Sequence, residues 1–200
     1  MSEYTLTTVS SPAQATKAKK KRVLRRSEDR RPELIDAALE EFARRGYYGT
    51  PTTAIAARAG ISQAYLFRLY PTKEDLYVAC VSEAYGRVRD EFERAGEAHR
   101  EDPDAALEAM AEAYDRLLGD GDMLVNQLHS YAACQEPAIR EAVHENFGAI
   151  VDTVREVGGA SDEEVQAFIA RGMLMNVIGA IGASDSNATW VRTITCEEPS

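Results

Sequence analysis

The chain has 200 residues, 44% of them hydrophobic, which is enough to bury a core in one domain or in two small domains that share a helix. Its net charge of −10 would argue against a nucleic-acid binder if it were spread evenly, but residues 1–31 carry +6, residues 32–76 carry −1 and residues 77–200 carry −15. Basic charge is therefore concentrated at the N-terminal end, where we expect DNA to bind.

Simple patterns exclude other classes of protein. Cys80, Cys134 and Cys196 are odd in number and far apart, unlike a zinc site or a disulfide framework, so we expect reduced thiols. The longest uncharged apolar run, residues 172–183, is shorter than the ~20 residues of a membrane span, and the N-terminus lacks the apolar core of a secretory signal. We therefore predict a soluble, cytoplasmic protein.

The N-terminal segment is aperiodic over residues 1–16 and then strongly basic, with Lys17, Lys19, Lys20, Lys21, Arg22, Arg25 and Arg26. Such a segment is either a solvated, disordered tail or a basic arm that lies along phosphates or enters a minor groove. We predict a disordered basic arm over residues 1–28, in which Lys20, Lys21 and Arg22 contact DNA.

The first two predicted helices have distinct start and stop signals. Apolar residues recur at helical spacing over residues 33–45, and Gly46 ends that helix. Thr50 then offers a capping hydroxyl and Pro51 a proline at the first helical position. These signals predict a short helix over residues 51–59.

A tight turn leads into the next short helix. Gly60 can take the left-handed conformation that closes a helix, Ile61 supplies an apolar plug, and Ser62 is a good N-cap for a helix over residues 63–70. Two helices joined in this way form a helix-turn-helix. The outer face of the second one carries side chains that suit the major groove and its phosphates, namely Gln63, Ala64, Tyr65, Phe67 and Arg68.

The segment from Arg31 to Leu76 resembles the DNA-binding domain of the TetR (tetracycline-repressor) family of bacterial regulators. The matching residues agree in register without a gap, at Ile35, Ala37, Ala38, Phe42, Gly46, Tyr47, Thr50, Ile55, Ala56, Gly60, Ile61, Ser62, Leu66, Tyr70, Lys73, Glu74 and Leu76. Two residues depart from the family pattern: Phe67 stands where a Tyr that touches phosphate is usual, and Pro51 where a small hydroxyl residue is common.

The resemblance implies an all-α protein with a three-helix DNA-binding domain over residues 29–76 and a helical ligand-binding and dimerisation domain over residues 77–200. It implies a homodimer whose DNA-binding domains hold a palindromic operator, and a small-molecule effector that releases a repressor from it. The DNA contacts that we expect on this basis come from Thr50, Thr52, Thr53, Gln63, Ala64, Tyr65, Phe67, Arg68 and Lys73.

The rest of the chain reads as helices separated by breakers, without strand-like alternation. We expect helices near residues 73–99, 104–118, 122–135, 138–157 and 162–181, and a weaker one that includes Trp190. Ser161 and Glu164 form a capping box at the start of the fifth of these. Small residues crowd its second half, namely Gly172, Gly179, Ala180, Gly182 and Ala183. They fit ordinary intrachain packing or a dimer contact, and we favour the dimer contact because the resemblance implies a dimer-forming helix late in the chain.

Several aromatic, sulfur and polar residues interrupt the apolar faces of these helices. Any one of them is more often plain core than a binding residue, but a buried amide needs hydrogen-bond partners, so Gln127 and Asn176 are informative. Together with the resemblance, they predict a largely apolar effector pocket that is lined by Met110, Tyr114, Leu124, Gln127, Tyr131, Phe147, Met173 and Asn176.

Catalytic signatures are absent from the sequence. His99, His129 and His144 lie on different predicted helices without metal spacing, and no serine elbow or phosphate-binding glycine loop is found. We therefore predict no enzyme activity, metal or cofactor. Two alternatives stay open: a helical small-molecule-binding protein or enzyme with a vestigial DNA-binding domain, and an architectural DNA binder without a ligand.

The predicted helix over residues 73–99 begins beside the DNA-binding domain and runs through the rest of the protein. We expect it to be the lever that changes the separation of the two recognition helices when the effector binds.

Overall fold

The computed structural model describes residues 30–119, 121–184 and 186–195, and within these ranges it contains helices and no strand. The all-α prediction is therefore confirmed. The helices are α1 (Arg31–Gly49), α2 (Thr52–Arg58), α3 (Gln63–Leu69), α4 (Lys73–Glu97), α5 (Pro103–Leu118), α6 (Gly121–Ala132), α7 (Pro137–Val157), α8 (Asp162–Ala180) and α9 (Thr189–Thr195). We call α1–α3 the head and α4–α9 the body. Across the described ranges, no helix is both long and apolar enough to cross a membrane.

Helix α1 is interrupted at Gly46, where φ is 65° and ψ is −179°. This conformation is unfavourable for residues with a Cβ atom, so glycine is required and the regular helix ends where the sequence predicts. Space adds a second constraint, because a Cβ at Gly46 would lie 2.9 Å from Nδ1 of His129 on α6. The chain leaves α1 through this joint and enters the helix-turn-helix.

Thr50 does not cap α2, and that prediction is wrong. The N-cap position is Pro51, which makes no side-chain capping bond, and α2 begins at Thr52. The Thr50 hydroxyl instead lies beside the main chain of α1, 2.7 Å from the carbonyl oxygen of Gly46 and 3.1 Å from that of Glu41. The chain turns at Gly46, and the threonine side chain points inward to these two carbonyl oxygens.

The turn between α2 and α3 is built as the sequence predicts. Gly60 has a φ of 63°, and Oγ of Ser62 accepts a hydrogen bond from the amide of Tyr65 at 3.2 Å. Ile61 is half-buried against the core. Leu66 is fully buried and Leu69 is 8% exposed, so the apolar side of α3 faces inward and its polar side faces solvent.

Helix α4 connects the two parts of the molecule. It begins with a capping box in which Thr72 and Asp75 bond each other's main-chain amides. Its buried side runs from Leu76, beside the head, to Phe92, deep in the body. The predicted domain boundary at residues 76 and 77 therefore falls inside a continuous helix. A single apolar cluster extends through both parts, from Leu34 in α1 to Val165 in α8.

Some small residues of α8 and the following turn pack within the chain, and others are exposed to solvent. Gly172 faces the ring of Tyr114, Gly179 faces Leu124, and Ala183 is buried within the chain. For these three residues the intrachain alternative is therefore correct. Ala180 and Gly182 are exposed.

Candidate DNA-binding surface and effector cavity

The outer face of α3 presents a short row of polar and aromatic side chains to solvent. Gln63, Ala64 and Arg68 are exposed and Phe67 is 38% exposed, whereas Tyr65 is half-buried. The guanidinium carbon of Arg68 lies 4.4 Å from the centroid of the Tyr65 ring, a cation–π contact that orients the side chain along the helix. Gln63 and Arg68 thus present side-chain hydrogen-bond donors to solvent on this face.

Helix α2 holds α3 in place and contributes its own polar side chains. Nε2 of Gln63 donates a hydrogen bond to Oγ1 of Thr52 at 2.8 Å, and Thr53 is exposed beside them. Behind this surface, Arg58 bonds Glu41 at 2.6 Å and Glu40 at 2.5 Å, which ties α2 to α1. Because the Glu41 carboxylate is largely buried, this ion pair is better shielded from solvent than a surface pair.

Two expected DNA contacts have a different environment from the one that the sequence indicates. Thr50 is 1% exposed and its hydroxyl is used internally, which removes it from the DNA-contacting set. Lys73 is half-buried at the start of α4, with Nζ 4.8 Å from the centroid of the Tyr47 ring, and the partial burial lowers the pKa of its ammonium group. Lys20, Lys21 and Arg22, together with the basic arm, lie outside the described residues.

The body contains a cavity with about 70 Å³ of free space, partly open to solvent, between α4, α5, α6, α7 and α8. Five aromatic rings dominate its wall, together with aliphatic and methionine side chains. The aromatic residues are Phe92, Tyr114, Tyr131, Phe147 and Phe168. Two charged residues, Asp115 and Arg171, also line it, and both are exposed. A cavity with this wall suits an apolar or aromatic molecule.

Three buried polar side chains meet at one wall of the cavity. The hydroxyl of Tyr114 lies 2.8 Å from Oε1 of Gln127 and 2.8 Å from Oδ1 of Asn176, and Nδ2 of Asn176 donates to Oε1 of Gln127 at 3.1 Å. A phenol has one proton, so it donates to one of the two oxygens at a time. Nε2 of Gln127 has no hydrogen-bond partner among the described residues, so it can donate to a bound molecule without breaking an existing bond.

The phenols of the cavity are neutral at physiological pH. Burial raises the pKa of Tyr114 to about 12, and burial likewise raises the pKa of Tyr131. The hydroxyl of Tyr131 points to the sulfur of Met173 at 3.5 Å. Both phenols are therefore hydrogen-bond donors rather than anions when a ligand meets them.

Comparison with known proteins identifies the head. The sequence profile of the bacterial regulatory proteins of the tetR family matches residues 34–80, which hold most of α1, all of α2 and α3, and the first turns of α4. These residues are a TetR-family DNA-binding domain. A chain with this domain is a DNA-binding transcriptional regulator, and the curated relatives are regulators too.

Relatives within the family include two curated regulators. The chain is 23% identical over 163 residues to the fatty acid metabolism regulator protein of Bacillus subtilis (strain 168), a match that covers 80% of this chain and 82% of that protein. It is 34% identical over 79 residues to the transcriptional regulator RutR of Escherichia coli (strain K12), which covers 40% of this chain and 32% of RutR.

Two solved structures share the fold over most of this chain. One is a transcriptional regulator from Mesorhizobium loti MAFF303099, with a TM-score of 0.67 and 22% identity over 82% of this chain and 89% of that one. Another is the multidrug binding protein EbrR in complex with proflavin, with a TM-score of 0.55 and 22% identity over 84% of this chain and 98% of EbrR.

The cavity contains five of the eight residues that the sequence singles out for effector binding, namely Tyr114, Gln127, Tyr131, Phe147 and Met173. Asn176 lies behind the wall and reaches the cavity through Gln127. Met110 and Leu124 are corrections, because they are buried away from the cavity and pack against Gly96 and Gly179. Helical spacing shows that Met110 and Leu124 face the interior, but it does not show whether an interior residue packs in the core or lines a cavity.

Several residues of the cavity wall are missing from the sequence prediction. Val88 and Phe92 come from α4, and Phe168, Ile169 and Arg171 from α8. Phe168 and Ile169 lie on the same helical face as Met173 and Asn176, which is a signal that the sequence carried. The α4 residues had no such signal, because an apolar side chain has the same pattern whether it faces a cavity or a packed core.

Proposed function

We propose that the protein is a homodimeric, cytoplasmic repressor that leaves a palindromic operator when a small, largely apolar molecule binds in the cavity of the body. The observation that carries this proposal is the cavity itself, whose wall combines five aromatic rings with one buried amide donor, in a chain that also carries an exposed recognition helix. A DNA binder without an effector has no use for such a cavity.

For the DNA side, we propose that Arg68 and Gln63 contact base edges. Their exposure on α3 supports this assignment, because their planar donors can pair with guanine and adenine respectively. Thr52, Thr53, Ala64, Tyr65, Phe67 and Lys73 complete the proposed surface. Lys20, Lys21 and Arg22 belong to it on charge alone. The DNA-binding domain is proposed over residues 29–76 and the effector and dimer domain over residues 77–200, with α4 shared between them.

For the effector, we propose an aromatic or long-chain molecule with a hydrogen-bond acceptor that meets Nε2 of Gln127. The aromatic wall favours flat or flexible apolar groups, and the unpaired amide favours a ligand that accepts a hydrogen bond over a pure hydrocarbon. The names of the relatives agree with this class, since one regulates fatty acid metabolism and the EbrR structure holds proflavin.

For the dimer, we propose an interface formed by α8 and α9. Large apolar side chains are exposed there at a level that is unusual for a monomer surface, with Val177 at 47%, Ile181 at 60%, Trp190 at 51% and Ile194 at 38% exposure. A second copy that covers them would place two heads on one duplex, and symmetric protomers match a palindromic site.

The test is selection of duplexes from a random DNA pool, followed by mobility-shift titration of the selected sequence. We expect a palindromic sequence bound by two protomers, and release of it by some members of a panel of aryl and acyl compounds. Equal affinity for all duplexes would contradict the proposal that the protein recognises a specific operator. A failure of every duplex to bind would favour a helical binding protein with a vestigial DNA-binding domain.

A further inference from the structure

We propose that Thr52 of α2 is a positioning residue, which holds the side-chain amide of Gln63 in the orientation that selects an adenine in the operator. The inference rests on the proposed base contact of Gln63. It adds the neighbouring side chain that fixes the choice of base.

The amide of Gln63 is tied to the preceding helix. Nε2 of Gln63 donates a hydrogen bond to Oγ1 of Thr52 at 2.8 Å, across 11 residues of the chain. Thr52 is the first residue of α2 and Gln63 the first residue of α3, so the bond joins the N-terminal ends of the two helices. Thr52 is half-buried and Gln63 is exposed, which places the amide on the surface that faces solvent.

The backbone keeps these two side chains within reach of each other. Gly60, at a φ of 63°, turns the chain between the helices, and Oγ of Ser62 accepts a hydrogen bond from the amide of Tyr65 in the first turn of α3. Leu66 is fully buried and anchors α3 to the core. Because the backbone at the start of α3 is fixed in this way, the bond to Thr52 restricts the rotamers of the Gln63 side chain.

The bond uses one of the two hydrogens of the Gln63 amide. The second hydrogen and the carbonyl oxygen Oε1 have no side-chain partner among the described residues, so the amide offers one donor and one acceptor. In a major groove, adenine presents the matching pair, an acceptor at N7 and a donor at N6, whereas guanine presents acceptors at both N7 and O6. A glutamine that keeps both hydrogens can donate one to each guanine acceptor. With one hydrogen held by Thr52, the amide bonds adenine twice and guanine once.

Thr52 also lowers the entropic cost of ordering Gln63 when DNA binds. Glutamine is among the side chains that lose the most rotamer freedom when they are fixed. A side chain that is already held in the free protein loses less freedom on binding, and exclusion of water by the duplex strengthens the bond that holds it. Removal of the Thr52 acceptor should therefore weaken binding to the adenine-containing operator more than binding to a duplex with guanine at that position.

Arg68, the other residue proposed to contact bases, is held in a different way. Its guanidinium carbon lies 4.4 Å from the centroid of the Tyr65 ring, a contact within α3 that does not involve α2. The orientations of Gln63 and Arg68 are therefore set by separate neighbours. A change at Thr52 should alter the base preference at the position of Gln63 and leave the preference at the position of Arg68 as it is.

The test measures base preference within the duplex that the wild-type protein selects. The base pair that Gln63 contacts is the one at which Gln63→Ala loses its preference, and affinity is titrated by mobility shift with A·T or G·C at that pair. We expect the wild type to favour A·T over G·C by about 10-fold or more. Thr52→Val keeps the shape of the side chain but removes the acceptor, and it should lower this ratio by about 3-fold or more. Thr52→Ser keeps the acceptor and should hold the ratio within about 2-fold of wild type.

Thr53→Val is the matched control, because Thr53 is the exposed neighbour of Thr52 and its hydroxyl makes no hydrogen bond among the described residues. It should keep the A·T to G·C ratio of the wild type, even where it lowers the affinity for both duplexes. In the Gln63→Ala background, Thr52→Val should change the ratio no further, since the side chain that it positions is gone. Replacement of the adenine by 7-deazaadenine, which lacks the N7 acceptor, should cost the wild type more affinity than it costs Thr52→Val.

The remaining outcomes distinguish this inference from the proposed function. An unchanged ratio in Thr52→Val overturns the positioning role, and an equal loss on both duplexes assigns Thr52 to a phosphate contact instead. Loss of a preference for a base other than adenine in Gln63→Ala contradicts the choice of base. If Gln63→Ala keeps every preference of the wild type, the proposed base contact of Gln63 fails and the inference fails with it. Circular dichroism identifies a variant that does not fold, and Thr52→Ala then replaces Thr52→Val.

Discussion

The head and the body pair their buried polar groups over very different distances along the chain. In the head, Thr50 bonds carbonyls that lie 9 and 4 residues away, and Arg58 bonds Glu41 across 17 residues. In the body, Tyr114 meets Gln127 across 13 residues, but Asn176 completes the cluster from 62 residues beyond Tyr114 and 49 beyond Gln127. The head is thus organised by local contacts, while the polar cluster of the body exists only when three helices are assembled.

This difference suits a head whose structure is the same in many regulators and a body whose cavity wall can vary. Local contacts fix the head from sequence signals that many regulators share, which is why a profile of 34–80 recognises it. Non-local contacts allow the wall of the body to change while its helices stay in place.

Gly46→Ala should lower the free energy of unfolding by about 3 kcal/mol, because it combines backbone strain at a positive φ with a clash against His129. Gly60→Ala is the matched control, since its φ is 63° but no atom lies within 4 Å of the added Cβ. It should cost about 1 kcal/mol. Urea unfolding measures both, and equal losses would mean that the contact with α6 contributes nothing to the joint.

Arg68→Ala should weaken binding of the selected operator by ~1 to 3 kcal/mol and leave the stability of the protein unchanged, because the side chain is exposed on α3. Arg171→Ala, an exposed arginine at the cavity in the body, is the control and should bind the operator as the wild type does. Mobility-shift titrations against the selected duplex and one with a changed base pair make the measurement. Wild-type affinity of Arg68→Ala would remove this residue from base readout.

Asn176→Leu should lower the free energy of unfolding by ~1 to 2 kcal/mol, because it leaves part of a buried polar cluster without partners. Thr50→Val removes the hydroxyl of the head at nearly constant shape and should cost about 1 kcal/mol. The two variants should differ more clearly in their affinity for cavity ligands, which only Asn176→Leu should change. A larger loss for Thr50→Val would reverse the proposed contrast between head and body.

Tyr77→Phe should raise the free energy of unfolding by up to about 1 kcal/mol. The hydroxyl of Tyr77 is buried between α4 and the head and has no hydrogen-bond partner among the described residues. Tyr85→Phe is the matched control on the same helix, because the hydroxyl of Tyr85 lies 3.2 Å from Oγ of Ser130 on α6. It should destabilise by about 1 kcal/mol. Thermal or urea unfolding distinguishes these opposite signs.

Most of the fold follows from the sequence, because caps, glycines and apolar spacing are local signals. Gly46, Gly60, Ser62 and the Ser161 capping box all behave as predicted. Thr50 does not, because its hydroxyl bonds the carbonyl oxygens of Glu41 and Gly46 in α1 instead, and the choice between these partners depends on geometry rather than on residue type.

The cavity is harder to read from the sequence than the fold. Gln127 stands out because an amide on an apolar face is unusual, and the structure brings it to the cavity wall. Met110 and Leu124 share the same helical spacing but fill the interior instead. A cavity is a failure of helices to pack completely, and the composition of each helix taken separately does not reveal where that occurs.

Trp190 is the only tryptophan of the chain and its side chain is 51% exposed on α9. Fluorescence excited selectively in the indole therefore originates from this one helix, without contributions from the head or the cavity. In the proposed dimer the indole leaves water, so its emission should lie at shorter wavelength at high protein concentration and shift to longer wavelength on dilution. The chain thus contains a natural optical reporter for the association of its two copies, which needs no label and no DNA.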